Sequence, residues 1–224
     1  MSHTLETVVN ETAANPQWAV IWLHGLGADG HDFAPIVPEL LRPGWPAIRF
    51  VFPHAPVQPI TINNGVPMRA WYDIVSMDFA SRADAAGVTA SVQALDALVE
   101  AEIARGIPAE RILLAGFSQG GAIILSAVLR WTRPIAGVIA LSTYLPDPKA
   151  AADARVQDGI RPPVFMAHGA HDPVIPQGIA VESAGMLKTL GFPMEWHSYP
   201  MAHQVCAEEL QALGDWLDVR FRAA

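Results

Sequence analysis

The sequence has a single cysteine, Cys206, so no internal disulfide can form and a reducing compartment suits the chain. Basic residues are few and scattered. Fourteen Lys and Arg stand against 22 Asp and Glu, a formal net charge of −8, which argues against nucleic acid and against electrostatic docking on anionic membrane. No apolar run approaches the roughly 20 residues of a membrane span, so stable membrane insertion is not expected. The start, Met1-Ser2-His3-Thr4-Leu5-Glu6, has neither a basic cluster nor an apolar leader stretch, and a cytoplasmic location is the expectation. Charge is scarce overall, at 16% against 51% hydrophobic residues, which excludes a disordered composition and supplies enough apolar material for one core. A single domain over residues 1–224 follows, without repeat, low-complexity tract or linker. The sequence leaves a homodimer open.

What is present is an alternation of short apolar runs with longer segments of helical period, the order of a mostly parallel sheet with helices on both faces. Strands are predicted at Trp18–Leu23, Ala47–Phe52, Arg111–Gly116, Ala136–Leu141, Val164–Ala167 and Met194–Tyr199, with a further edge strand near Leu5–Asn10. Val88, Val92, Leu95, Leu98, Val99 and Ile103 recur every three or four residues and predict an amphipathic helix ending near Gly106-Ile107-Pro108. Ala122–Leu129 is apolar almost all round, as a helix buried against the sheet centre must be. The last helix opens on Glu208 and Glu209 and closes on Arg220 and Arg222, complementing its dipole. From Pro53 to about Ala86, Pro, Gly and Asn mix with Trp71, Tyr72, Met77 and Phe79 without a period, which reads as a long, partly ordered lid or substrate loop.

Gly116-Phe117-Ser118-Gln119-Gly120 is a G-x-S-x-G pattern between a predicted strand and a predicted helix, the context a nucleophile elbow needs. Ser118 would stand at the apex of a sharp turn, at a helix N-terminus that favours negative charge on a substrate oxygen. A serine hydroxyl needs a base, and the base an acid on its other nitrogen; on this architecture the chain order is Ser, acid, His. Asp172 follows one strand and His203 the next, which brings both to one sheet edge. Asp147 is the runner-up acid. His171 is a reserve base, His168 and His197 read as structural, His24 as shaping its turn, and His3, His31 and His54 precede the serine.

Gly25-Leu26-Gly27-Ala28-Asp29-Gly30 follows a strand and has two readings. As G-x-G-x-x-G it is a dinucleotide fingerprint, but the second strand ends Phe50-Val51-Phe52-Pro53-His54 without the acidic residue that fingerprint needs, and Pro35 and Pro38 disfavour a long phosphate-capping helix. As a loop of close backbone approach, it would bring the Leu26 N–H beside the Gln119 N–H as an oxyanion hole.

Several stretches together resemble the carboxylesterase, acyl-protein thioesterase and lysophospholipase family of small α/β-hydrolases. They are His24-Gly25-Leu26-Gly27, Ala55-Pro56, Trp71-Tyr72-Asp73-Ile74, Gly116 to Gly121, His168-Gly169 with Asp172, and Tyr199-Pro200-Met201 with His203. The resemblance implies an α/β-hydrolase fold, a triad of Ser118, Asp172 and His203, oxyanion donors at Leu26 and Gln119, and a compact lid loop in place of a separate cap domain. Ala202 stands where that family usually has Gly, and Gln204 where it usually has Ser or Thr.

The expected activity is hydrolysis of neutral short- to medium-chain acyl esters or thioesters through an acyl-enzyme on Ser118, with acyl-protein thioesterase or lysophospholipase as alternative main activities. Substrates would be small acyl compounds or acylated proteins, and no metal or organic cofactor is expected. Trp71, Ile74, Val75, Met77 and Phe79 are candidates for an apolar acyl wall, or else simple core packing. Arg69 and Arg82 are the basic residues near the lid. Two other classes stay open: a nucleotide-binding oxidoreductase using the Gly25–Gly30 loop, and a non-catalytic acyl-binding module.

Overall fold

The structure, a computed structural model, describes residues 5–79, 81–146, 148, 153, 159 and 161–222. Its centre is a seven-stranded sheet of β1 (Thr7–Glu11), β2 (Trp18–Leu23), β3 (Ile48–Pro53), β6 (Ile112–Phe117), β7 (Gly137–Leu141), β8 (Val164–Gly169) and β9 (Met194–Tyr199) in the order β1-β3-β2-β6-β7-β8-β9. The edge strand β1 pairs antiparallel with β3 and the others pair parallel. Central strands read as continuous apolar runs because both faces are covered, and successive residues feed opposite cores. In β2, Ala19, Ile21 and Leu23 enter one core while Trp18, Val20 and Trp22 enter the other.

The first core is closed by α2 (Ala85–Ala104), α3 (Gln119–Val128) and α4 (Gln177–Thr189), the second by α1 (Val37–Leu40) and α5 (Ala207–Arg222). Helix α2 starts where the Asp84 carboxylate accepts from the Ala86 and Gly87 N–H groups, satisfying two of the donors a helix start leaves unpaired. Every residue of α3 is buried, as its all-round apolar character requires. The fold is that of an α/β-hydrolase without a separate cap.

Some elements lie where the sequence showed none. Within the 53–86 segment, β4 (Val57–Ile60) and β5 (Val66–Arg69) form an antiparallel hairpin, and Ile74 bridges Ala83. These strands have four residues each, with Pro59 opposite Pro67 and with Val57 and Val66 exposed, so no alternation marks them. The available signal was Asn64-Gly65, both at positive φ (53° and 74°), a pair that favours hairpin turns. Helix α4 buries Ala180, Ser183 and Leu187 but leaves Val181 exposed, which blurs its apolar stripe. Among the described residues no helix is long and apolar enough to cross a membrane.

Candidate active site

Strand β6 ends at Phe117 and α3 begins at Gln119, so a single residue turns the chain. Ser118 does so at φ 54° and ψ −119°, a region that L side chains adopt at a cost of about 1–3 kcal/mol. The turn is held from three sides. The Ser118 N–H donates to the Leu141 carbonyl oxygen (2.9 Å), and the Ser118 carbonyl oxygen accepts from Thr143 Oγ1 (2.6 Å) and from the Ala122 N–H (3.1 Å). Gly120 makes the close approach possible, since a Cβ there would lie 2.4 Å from the Leu23 carbonyl oxygen and 2.7 Å from that of His24.

The loops after β8 and β9 deliver the other two residues. His203 Nδ1–H donates to Asp172 Oδ2 (2.6 Å), which leaves Nε2 to accept the Ser118 hydroxyl (3.0 Å). The Asp172 side chain is fully buried, and its other oxygen accepts from the Val174 N–H (2.8 Å) and the Ile175 N–H (2.9 Å). Both lone-pair directions are therefore occupied and the carboxylate cannot turn away from His203. The Phe117 ring lies 4.8 Å from the imidazole and limits its swing. Ala202 is not among the residues at positive φ, so alanine fits the backbone path into His203 without strain.

The remaining histidines are placed elsewhere. His168 donates from Nε2 to the Ile175 carbonyl oxygen (2.8 Å) and stands 3.3 Å from Asp172 Oδ2; burial lowers its pKa, so it supports the acid's loop as a neutral ring. His24 is also held below the ordinary histidine range by burial, with Nδ1–H donating to the Gly25 carbonyl oxygen (2.7 Å) and Nε2 accepting from the Ala55 N–H (3.0 Å). The His171 side chain is exposed, His197 stacks on Phe165, and His31 and His54 face each other beside the first loop. His3 and the runner-up acid Asp147 lie outside the described residues.

The first loop passes directly beside the elbow: a Cβ on Gly25 would lie 3.4 Å from that of Ser118. After Gly30 comes a 3-10 turn at Ala34–Ile36 and then the four-residue α1, so the loop does not lead into the long helix that a dinucleotide fingerprint opens. Among the described residues, the Leu26 N–H has no acceptor, and Gln119, as the first residue of α3, has none within its helix. No three His, Cys, Asp or Glu side chains among the described residues converge to hold a metal ion.

The five acyl-wall candidates separate. Trp71 (2% exposed) and Ile74 (5%) belong to the first core, where packing takes their surface, while Val75 and Met77 are exposed. Phe79 lines a cavity of about 170 Å³ with Tyr144, Leu145 and Ile179. Arg82 lies 4.4 Å from the Phe79 ring centroid and 5.8 Å from that of Tyr144, and Arg69 donates to the Ala55 carbonyl oxygen. Sequence reasoning gave Gln119 only a backbone role, yet its side chain is buried and bonded at both ends to Trp71 and Tyr72. No local pattern announces such a contact, which spans 47 or 48 residues.

Residues 5–220 match the phospholipase/carboxylesterase family. The chain belongs to this family. Among its relatives is acyl-protein thioesterase 1 of Neurospora crassa, 40% identical over 210 residues that cover 90% of this chain and 86% of the relative. A probable carboxylesterase of Oryza sativa subsp. japonica is 33% identical over 215 residues, covering 95% of this chain and 81% of the relative. The crystal structure of Arabidopsis thaliana SOBER1 superposes with a TM-score of 0.84 at 29% identity, covering 91% of this chain and 98% of that one. The phospholipase/carboxylesterase assignment makes the chain a hydrolase and removes the oxidoreductase reading of the Gly25–Gly30 loop.

Proposed function

We propose that this hydrolase is a serine carboxylesterase that works through an acyl-enzyme on Ser118. The carrying observation is the hydrogen-bonded line from Ser118 Oγ through His203 to the buried Asp172, set at a strained turn. In the first half-reaction, Oγ bonds to the acyl carbon as its proton passes to His203 Nε2, and the carbonyl electron pair moves onto oxygen. The N–H groups of Leu26 and Gln119 receive that oxyanion, and one such donor is worth about 3 kcal/mol of barrier lowering. Asp172 holds the imidazole in the tautomer that presents Nε2 to the serine and balances the imidazolium that forms. Collapse breaks the bond to the leaving group, which takes the proton from Nε2. Water then repeats the sequence on the acyl-enzyme, releasing the carboxylic acid and restoring Ser118.

The cavity at Phe79 and Tyr144 is the proposed place for the acyl chain. Asp78 and Glu182 also line it and the Arg82 guanidinium lies against its Phe79 and Tyr144 rings, so no single sign of charge dominates there, which suits a neutral acyl group. The 40% identity to an acyl-protein thioesterase supports a second reading, in which the leaving group is a protein thiol.

A fluorophosphonate probe tests the proposal. Stoichiometric labelling located on Ser118 by mass spectrometry, lost in Ser118→Ala together with about 10⁶-fold in kcat, is the expected result. No labelling of folded protein would sink it. Matched oxygen and sulfur esters of one acyl group, on a small alcohol or thiol and on a peptide cysteine, then separate the two readings by kcat/KM.

A further inference from the structure

Trp71 bonds to both halves of the proposed oxyanion hole. Its indole N–H donates to the His24 carbonyl oxygen (2.9 Å), two residues ahead of Leu26. Its backbone N–H donates to Gln119 Oε1 (2.8 Å), and Gln119 Nε2 donates onward to the Tyr72 carbonyl oxygen (2.8 Å). The Trp71 carbonyl oxygen accepts from the Ser91 hydroxyl of α2, which anchors the residue from behind. All five residues joined by these bonds are buried, so the bonds are shielded from competing water. The two segments also approach closely, since a Cβ on Gly120 would lie 2.7 Å from the His24 carbonyl oxygen. His24, Trp71, Gln119 and Gly120 thus close a ring of contacts around the backbone that presents the Leu26 and Gln119 N–H groups.

An oxyanion hole works only when both donors converge on one point, and displacements well under an ångström weaken it. We propose that Trp71 is a positioning residue that sets the spacing of the Leu26 and Gln119 donors; this rests on the serine-hydrolase reading. Trp71 touches no reacting atom and acts through His24 and Gln119. Packing alone would need only the ring. Positioning needs the indole N–H as well, and that separates the two roles.

Trp71→Phe keeps a buried ring and removes the donor to His24; Ser91→Ala removes the anchor from a more distant point. Each variant is compared with wild type on one short acyl ester, against a trifluoromethyl ketone that forms a tetrahedral adduct on Ser118, and against an amide of the same shape that does not react. The expected result for Trp71→Phe is a fall in kcat of about tenfold with KM within about twofold. The ketone should weaken by the same factor as kcat/KM while the amide binds as before. Ser91→Ala should show the same split at smaller amplitude, and it carries the test if Trp71→Phe does not fold. Unchanged kcat in a folded variant, or equal weakening of ketone and amide, overturns the proposal. Wild-type labelling by the fluorophosphonate keeps the failures apart: unlabelled wild type sinks the hydrolase reading and this inference together, whereas labelled wild type with an unaffected Trp71→Phe sinks only the inference.

Discussion

Asp172 and Glu209 flank the 200–206 loop that carries His203, both withdrawn from solvent, and their surroundings differ. Asp172 accepts two backbone N–H bonds on one oxygen and the imidazole N–H on the other. Glu209, in the first turn of α5, is fully buried with neither oxygen hydrogen-bonded among the described residues. Desolvation pushes its pKa up to about 8, and the nearby Cys206 backbone N–H offsets only part of this. Its neighbour Tyr199 has a buried hydroxyl with no hydrogen bond among the described residues, and its pKa is pushed up to about 12, chiefly by burial and then by Glu209, Cys206, Glu195 and Glu208. Depth alone therefore does not decide what a buried carboxyl does. The donors aimed at it do, and the chain supplies them to one acid and withholds them from the other.

The comparison breaks most visibly at Asp172→Asn. An amide there cannot hold the His203 tautomer that accepts the serine proton, and kcat should fall about 10⁴-fold with the fold intact. Steady-state kinetics with circular dichroism checks it, and a loss under tenfold would remove Asp172 from the proposed relay.

Glu209→Gln should act on stability. The folded pKa of about 8 lies above the ordinary value of 4.5, so between these limits the folded chain holds a proton that the unfolded chain has released. Stability accordingly falls as pH rises through that window, by about 1.4 kcal/mol per unit, and levels off above it. Urea unfolding from pH 5 to 9 should show wild type losing stability on this slope relative to Glu209→Gln; parallel pH profiles would mean that Glu209 is not kept protonated.

The smallest effect belongs to Ala202→Gly. Because Ala202 has no positive φ, glycine relieves nothing and only loosens the loop, costing about 0.5–1 kcal/mol of stability with kcat/KM within about twofold. A rise in kcat/KM well beyond that would show that alanine strains the approach to His203.

Much of the architecture was legible because it rests on local order. The runs Trp18–Leu23 and Val164–Ala167, the period of Val88 to Ile103, and the glycines around Ser118 are properties of neighbouring residues, and they place strand, turn and helix directly. The meeting of Ser118, Asp172 and His203 was legible for the same reason, since loops at the carboxyl ends of parallel strands share an edge. What escaped was weak locally or made by distant partners. The Asn64-Gly65 hairpin lacked alternation, and helix α4 lacked a clean stripe. Trp71 and Ile74 carry the same apolar surface whether they line a cavity or fill a core.

The sequence by itself determined the layered fold, the strained serine turn and the order of the three polar residues, because periodicity and chain order act over short spans. Only the tertiary structure decided that Trp71 ties His24 to Gln119 and that Phe79, among its neighbours, lines a cavity. It also decided that, among the described residues, Glu209 is buried with neither carboxylate oxygen hydrogen-bonded while Asp172 is surrounded by donors. Those outcomes depend on which surfaces meet when helices pack on a sheet, and no window of neighbouring residues contains both sides of such a contact.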